Sequence, residues 1–252
     1  MLQYERYAII LNQLKEQQSV TVNELSKVLQ VSESTIRRDI TDLDNAGRLR
    51  KVFGGAVAIS EGPRVQLKDM ATKAASFVQE KKAIARHAAG LIEDGDYVFL
   101  DAGTTTGAMI QFLENKTVTY VTNAARHALA LAERGLMVYQ IGGRMRPETE
   151  SIIGSVAVEN IRKYNFNKCF MGTDAIDIHR GLTTSEMEEG MIKTEAIRHG
   201  LQIYVLADHS KFDQVAQVRF GSLDAGKIIT DREPKTNYRK LSEIIIAKEE
   251  RA

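Results

Sequence analysis

The 252-residue sequence predicts an α/β protein in two parts: a winged helix-turn-helix, then a mainly parallel sheet covered by helices. Three observations predict it. The first sixty residues hold three short helical periods, the second and third opened by capping residues. A basic, alternating stretch broken by Gly54-Gly55 follows them. Beyond residue 76, short β-rich runs alternate with helical segments.

Composition narrows the classes. With 43% apolar residues, 27% charged residues and only 3 prolines, the chain is expected to fold throughout, neither disordered nor fibrous. No apolar run reaches the roughly 18–20 residues of a membrane span, and the polar start MLQYERY lacks a signal-peptide profile, so a cytoplasmic protein without a membrane partner is expected. The single cysteine, Cys169, excludes an internal disulfide and a multi-cysteine metal site, and its setting KCFMG predicts buried strand. Charges nearly cancel, 34 Lys and Arg against 33 Asp and Glu, so their placement matters more than their sum. Residues 1 to 60 hold eight cations and seven carboxylates, but five of the cations fall between Arg37 and Lys51. Folding of that stretch must create any basic surface.

Element by element, Tyr7, Ile10, Leu11 and Leu14 give a first helix from Tyr4 to Leu14 one apolar face. Thr21-Val-Asn-Glu24 has the spacing of a capping box and opens a second helix over Val22 to Leu29. Ser32 caps a third helix whose Ile36, Ile40 and Leu43 face inward, with Gly47 as its stop. The short joint between the second and third helices is that of a helix-turn-helix, and Ser34, Thr35, Arg37 and Arg38 lie exposed on the third. Arg48 to Ile59 reads as a β-hairpin wing carrying Arg50 and Lys51. The domains are then 1–59, a linker over 60–76 marked by Gly62-Pro63, and 77–252.

In the second domain the predicted strands are Tyr97 to Leu100, Val118 to Val121, Met137 to Ile141, Cys169 to Met171, Ile203 to Ala207 and Ile228 to Thr230. Polar clusters follow several of them: Asp101-Ala-Gly-Thr-Thr-Thr-Gly107, Thr122-Asn123, Gly142-Gly143-Arg144, Gly172-Thr173-Asp174 and Asp208-His-Ser-Lys211. Ligands of such sheets bind where strands end, and the threonine loop offers amides and hydroxyls to an anion. Lys211 is expected to point toward such an anion, a phosphorylated metabolite being the natural candidate. Lys193 lies four residues after Glu189, a spacing that equally fits a surface ion pair. The five histidines show no metal-binding spacing, and no catalytic triad is readable, so neither metal, cofactor nor catalytic residue is expected.

Together, Val31-Ser-Glu-Ser-Thr-Ile-Arg-Arg-Asp39, Phe53-Gly-Gly-Ala56, Asp101-Ala-Gly-Thr-Thr105, Val121-Thr-Asn123, Gly142-Gly143 and Asp208-His-Ser-Lys211 resemble the DeoR family of bacterial sugar-operon regulators over nearly the whole chain. The resemblance implies a C-terminal domain similar to ribose-5-phosphate isomerase that binds a phosphorylated sugar as inducer without turnover. It assigns DNA contacts to the helix of Ser34, Thr35, Arg37 and Arg38. Effector contacts fall to Asp101, Gly103, Thr104, Thr105, Asn123, Gly143, Lys193, Asp208 and Lys211. Phe53 stands where many relatives have histidine, and Ala175 where many have glycine.

The reading is therefore a repressor that binds double-stranded operator DNA as a homo-oligomer, at least a dimer, and is released by a phosphorylated sugar. Fructose 1-phosphate is suggested by family members that govern fructose uptake, with tagatose, galactitol and glycerol phosphates also open. Residues 60–76 are the expected transmission route. Two rivals stay open on sequence. One is a phosphosugar isomerase or hydrolase with an appended helical domain, using Asp101, Asp174, Glu189 or Asp208 as bases. The other is a protein-interaction module.

Overall fold

The computed structural model describes residues 2–17, 19–58, 70–114 and 117–247, and the chain divides into two compact units, 1–62 and 63–252. In the first, helix α1 (Gln3–Gln17) leads to a short strand β1 (Ser19–Thr21), then α2 (Val22–Leu29), α3 (Glu33–Asn45), β2 (Leu49–Val52) and β3 (Gly55–Ala58). The capping box forms: the Thr21 hydroxyl accepts from the Glu24 amide at 3.2 Å, and the Glu24 carboxylate accepts from the Thr21 amide at 2.9 Å. Ser32 caps α3 by accepting from the Thr35 amide at 3.3 Å. Ile10, Leu14, Leu25, Leu29, Ile36, Ile40, Leu43 and Leu49 make one buried core.

The sequence reading missed β1, which pairs with β3 and turns the hairpin into a three-stranded sheet ordered β1-β3-β2. Three residues are too few to show an alternating period. Gly55 makes this sheet possible, because a Cβ there would sit 2.0 Å from the Val20 carbonyl oxygen. Gly55→Ala is accordingly expected to loosen the wing at a cost of about 1–3 kcal/mol. Chemical denaturation of the isolated change against the parent chain checks it, and an unmoved midpoint would refute the packing argument.

The second unit begins with α4 (Met70–Ala75) and α5 (Val78–Ala89). Of the expected linker, residues 60–69 lie outside the described residues, while 70–75 are helical and pack against the helix after β4 (Tyr97–Leu100). That helix is α6 (Thr104–Met109), followed by β5 (Thr119–Thr122), α7 (Ala125–Glu133), β6 (Met137–Gln140), the hairpin β7 (Arg144–Arg146) and β8 (Ser151–Ile153), and α8 (Ser155–Ile161). Next come β9 (Phe166–Gly172), β10 (Ala175–Asp177), β11 (Gly181–Thr184), α9 (Met187–His199), β12 (Gly200–Leu206), β13 (Val218–Gly221), β14 (Lys227–Thr230) and β15 (Ile244–Ile246).

A seven-stranded parallel sheet, ordered β15-β14-β12-β9-β4-β5-β6, spans this unit, and all six expected strands are in it. Its apolar faces are covered on both sides, by one cluster around Phe99, Phe166 and Val205 and another around Leu100, Phe170 and Leu206. Cys169 is buried in β9 and its thiol donates to the Ala196 carbonyl. The antiparallel sheet β10-β11-β13 was not foreseen. Among the described residues no helix is long and apolar enough to cross a membrane.

Candidate effector cavity and nucleic-acid interface

Asp101, at the carboxyl end of β4, organises the larger unit's polar cavity. Its Oδ1 accepts from the Gly103 amide at 2.9 Å and the Thr106 hydroxyl at 2.8 Å. Its Oδ2 accepts from the Gly172 amide at 2.8 Å and from the Lys193 ammonium. Lys193 also donates to the Gly172 carbonyl at 2.9 Å. One buried carboxylate thus ties together the loops after β4 and β9 and helix α9. Burial opposes both charges, but Lys193 and the surrounding donors hold Asp101 below the ordinary carboxylate range, and the carboxylates of Asp101 and Glu189 hold Lys193 above the ordinary lysine range. The Lys193 charge is spent on Asp101, not on a surface pair with Glu189. Burial pushes the Glu189 carboxyl up.

The cavity above this pair is lined by Gly103, Thr104, Thr105, Asn123, Asp208 and Lys211, as expected from sequence, and also by Lys73, Lys81, Thr149, Asp174 and Glu189. Gly143 does not line it. At φ +150° its missing Cβ would meet Ile152 Cγ2 at 2.8 Å and Ala157 Cβ at 3.1 Å, so this glycine serves packing of the β7-β8 hairpin on α8. A neighbouring cavity of about 630 Å³ shares Ala102, Thr104 and Thr149 and is otherwise lined by residues including His127 and Arg134.

Sequence reasoning missed Lys73 and Lys81. Lys73, on α4, pairs with Asp174 at 2.7 Å, and although burial opposes it, this ammonium and the Ser185 amide hold Asp174 down at about 2. Lys81 is buried on α5 with its ammonium on the Lys73 carbonyl. Burial lowers its pKa, Asp208 works against that, and the charges of Lys211 and Lys73 add to it. A signal for Lys81 existed: it occupies the same helical stripe as the buried Ile84, Ala85 and Ala88. No comparable pattern marks Lys73, which falls in the stretch read as linker.

Three groups in the cavity lack partners. The Asn123 amide donates to the Ile152 carbonyl at 3.3 Å, but its Oδ1 is buried without a donor. Asp208 Oδ1 accepts from the Ser210 amide and hydroxyl, while its Oδ2 is buried and unsatisfied. The Lys211 ammonium makes no hydrogen bond or ion pair among the described residues. Buried polar atoms are seldom left so, and a ligand bearing hydroxyls and an anionic group would satisfy all three. Asp101 and Asp174 are engaged by lysine, hydroxyl and amide donors that hold both below the ordinary carboxylate range, which makes these two weak bases.

In the smaller unit, Gln30 takes a left-handed conformation at φ 53° and closes α2, which sets the turn before α3. Arg6 on α1 grips the buried Asp39 with two hydrogen bonds of 2.6 and 2.8 Å, which fixes α3 against α1. The neighbouring Arg37 and Arg38 therefore project outward. Arg37 pairs with Glu33 at 3.0 Å, and Arg38 has no ion-pair partner among the described residues. The hydroxyls of the exposed Ser34 and of Thr35 both hydrogen-bond to the Ser32 hydroxyl, at 2.8 and 2.9 Å. On the wing, Arg50 is half-buried, and the Lys51 ammonium reaches back to the Thr41 hydroxyl at 2.9 Å. Phe53 is fully exposed at the hairpin tip.

Comparison with known proteins agrees with both units. The profile of the DeoR C terminal sensor domain matches residues 76–232, and that of the DeoR-like helix-turn-helix domain matches residues 6–62. The uncharacterized HTH-type transcriptional regulator FruR of Bacillus subtilis (strain 168) is 37% identical, covering 98% of this chain and 100% of its own. The HTH-type transcriptional repressor GlcR of the same organism is 34% identical over 94% of this chain and 92% of its own. The lactose phosphotransferase system repressor of Staphylococcus epidermidis (strain ATCC 35984) is 31% identical over 97% and 98%. Among solved structures, ribose 5-phosphate isomerase A of Methanocaldococcus jannaschii aligns with a TM-score of 0.40 at 18% identity, covering 54% of this chain and 55% of that one. With both domain profiles matched in order and relatives aligned from end to end, the chain belongs to the DeoR family of DNA-binding transcriptional regulators.

Proposed function

We infer that this regulator is a cytoplasmic repressor of a sugar uptake or catabolism operon, released from its operator when the sensor domain takes up a phosphorylated sugar. The observation that carries this reading is the cavity's unmet demand: an unpaired Lys211 ammonium beside two buried acceptors, Asn123 Oδ1 and Asp208 Oδ2. The ammoniums of Lys211 and Lys81, with the amides and hydroxyls of Thr104 and Thr105, suit a phosphate. Asn123 and Asp208 suit sugar hydroxyls. Relatives named as repressors, one of a lactose phosphotransferase system, support the direction of control and the sugar class. Fructose 1-phosphate is the first ligand to test. Thermal unfolding against a panel of sugar phosphates and their unphosphorylated parents tests the reading, because a ligand bound only by the native state raises the midpoint. A rise with one phosphate and not its parent supports it; identical midpoints across the panel refute the phosphosugar class.

On DNA, α3 enters the major groove with Ser34, Thr35, Arg37 and Arg38, and Arg50 and Lys51 of the wing follow the backbone. A single short reading helix sets the need for paired half-sites about one helical turn apart, hence a homodimer or larger assembly. Arg38→Ala is expected to cost about 1–3 kcal/mol of operator affinity and relax one base position if it reads a base. Lys51→Ala is expected to weaken all sequences alike and to reduce the salt dependence. Titrations of operator and scrambled DNA at two salt concentrations separate the two, and full affinity in the Arg38 variant would remove it from the interface.

A further inference from the structure

Beside the cavity but outside its lining, three side chains able to ligate metal meet from three separate segments of the sensor unit. Glu80 lies in the first turn of α5, His209 in the short 3-10 turn after β12, and Asp231 directly after β14. Local spacing in the sequence has no bearing on such a group. One ligand atom of each residue lies within 4.8 Å of the other two. His209 Nδ1 and Asp231 Oδ2 are 2.8 Å apart and share a hydrogen bond, so both already face one point and need open by only about 0.5–0.8 Å to flank a tetrahedral ion held at about 2.0–2.2 Å. All three residues are half-buried, and the rings of Phe77 and His209 pack edge to face with centroids 5.1 Å apart, which restrains the imidazole.

Arg232 neutralises the two carboxylates. Its Nε donates to Asp231 Oδ2 at 2.9 Å, and its Nη2 stands 3.7 Å from Glu80 Oε1. This side chain is 60% exposed, so it can swing into water and yield its place to another cation.

We propose that Glu80, His209 and Asp231 form a binding site for a first-row divalent transition metal of the zinc type, which replaces the Arg232 guanidinium. One imidazole with two carboxylates selects this class over magnesium and calcium, which favour all-oxygen shells. Water completes the coordination. Glu80 adjoins Lys81, and His209 lies between Asp208 and Lys211, so the ion clamps the start of α5 to the loop that carries two groups of the anion cavity. The site does not depend on the identity of the effector.

Titration of metal-stripped, full-length protein with Zn2+ and Co2+, read by calorimetry and by the Co2+ visible absorption, tests this. One ion per chain is expected, with unchanged binding in the presence of equimolar Mg2+. His209→Ala and Glu80→Gln are each expected to weaken binding by more than about tenfold, the loss already typical when only a group behind a ligand is altered. Arg232→Gln is expected to bind more tightly, because the competing cation is gone. That result separates a metal site from a purely structural ion cluster, in which loss of the arginine would bring no gain. Absence of saturable binding to the native protein, equal affinity in the His209 variant, or weaker binding in the Arg232 variant would each overturn the proposal.

Discussion

Replacement of Lys193 by methionine is expected to lower the stability of the sensor unit by about 3–5 kcal/mol, the usual cost of leaving one partner of a buried ion pair alone. At about 2–4 °C per kcal/mol for a unit of this size, the unfolding midpoint falls by roughly ten degrees. The Asp101 contribution to the pH dependence should also reverse. In the native chain Asp101 is held below its unfolded value, so its contribution is present above about pH 4 and is lost as pH falls through the folded value. Without Lys193, burial is left to dominate and raises that carboxyl above its unfolded value. In the variant the contribution of this one carboxyl is then greatest below about pH 4 and falls as pH rises from there. Thermal unfolding of both proteins between acid and neutral pH checks this, and parallel curves would show that the pair contributes nothing.

Lys211→Ala is expected to uncouple the regulator. Loss of a charge-assisted contact worth about 1.5–3 kcal/mol should weaken the sugar phosphate about ten- to hundredfold, while operator affinity without effector stays as it was. In a reporter assay the variant keeps the operon shut in the presence of inducer. Because effector and DNA affinities are coupled reciprocally, a variant that binds effector normally but still fails to leave DNA would place Lys211 on the signalling route and remove it from the ligand contacts.

Local grammar made the DNA-reading unit legible. Thr21, Glu24, Ser32, Ile36 and Ile40 act within a few residues of one another, and capping and helical period report such relations directly. The polar strand ends were legible for the same reason, since each loop follows its strand at once. What the loops do together was not. The pairing of Lys193 with Asp101 joins residues far apart in the chain, and an i, i+4 spacing to Glu189 suggested a nearer partner. Gly143 looked like a ligand-loop glycine because its backbone need is genuine, but what crowds it is Ile152 and Ala157. The strands β10, β11 and β13 are three or four residues each, too short for a period to declare itself.

Helix α4 has six residues, well under the roughly 12–15 that helices in water need to persist unaided. Its order is borrowed from its packing on α6 and from the hold of Asp174 on Lys73. Any occupant of the cavity that draws Lys73 away from Asp174 withdraws part of that loan. The turn and a half between Met70 and Ala75 would then be free to unwind while α5, from Val78 onward, keeps its own packing on the sheet.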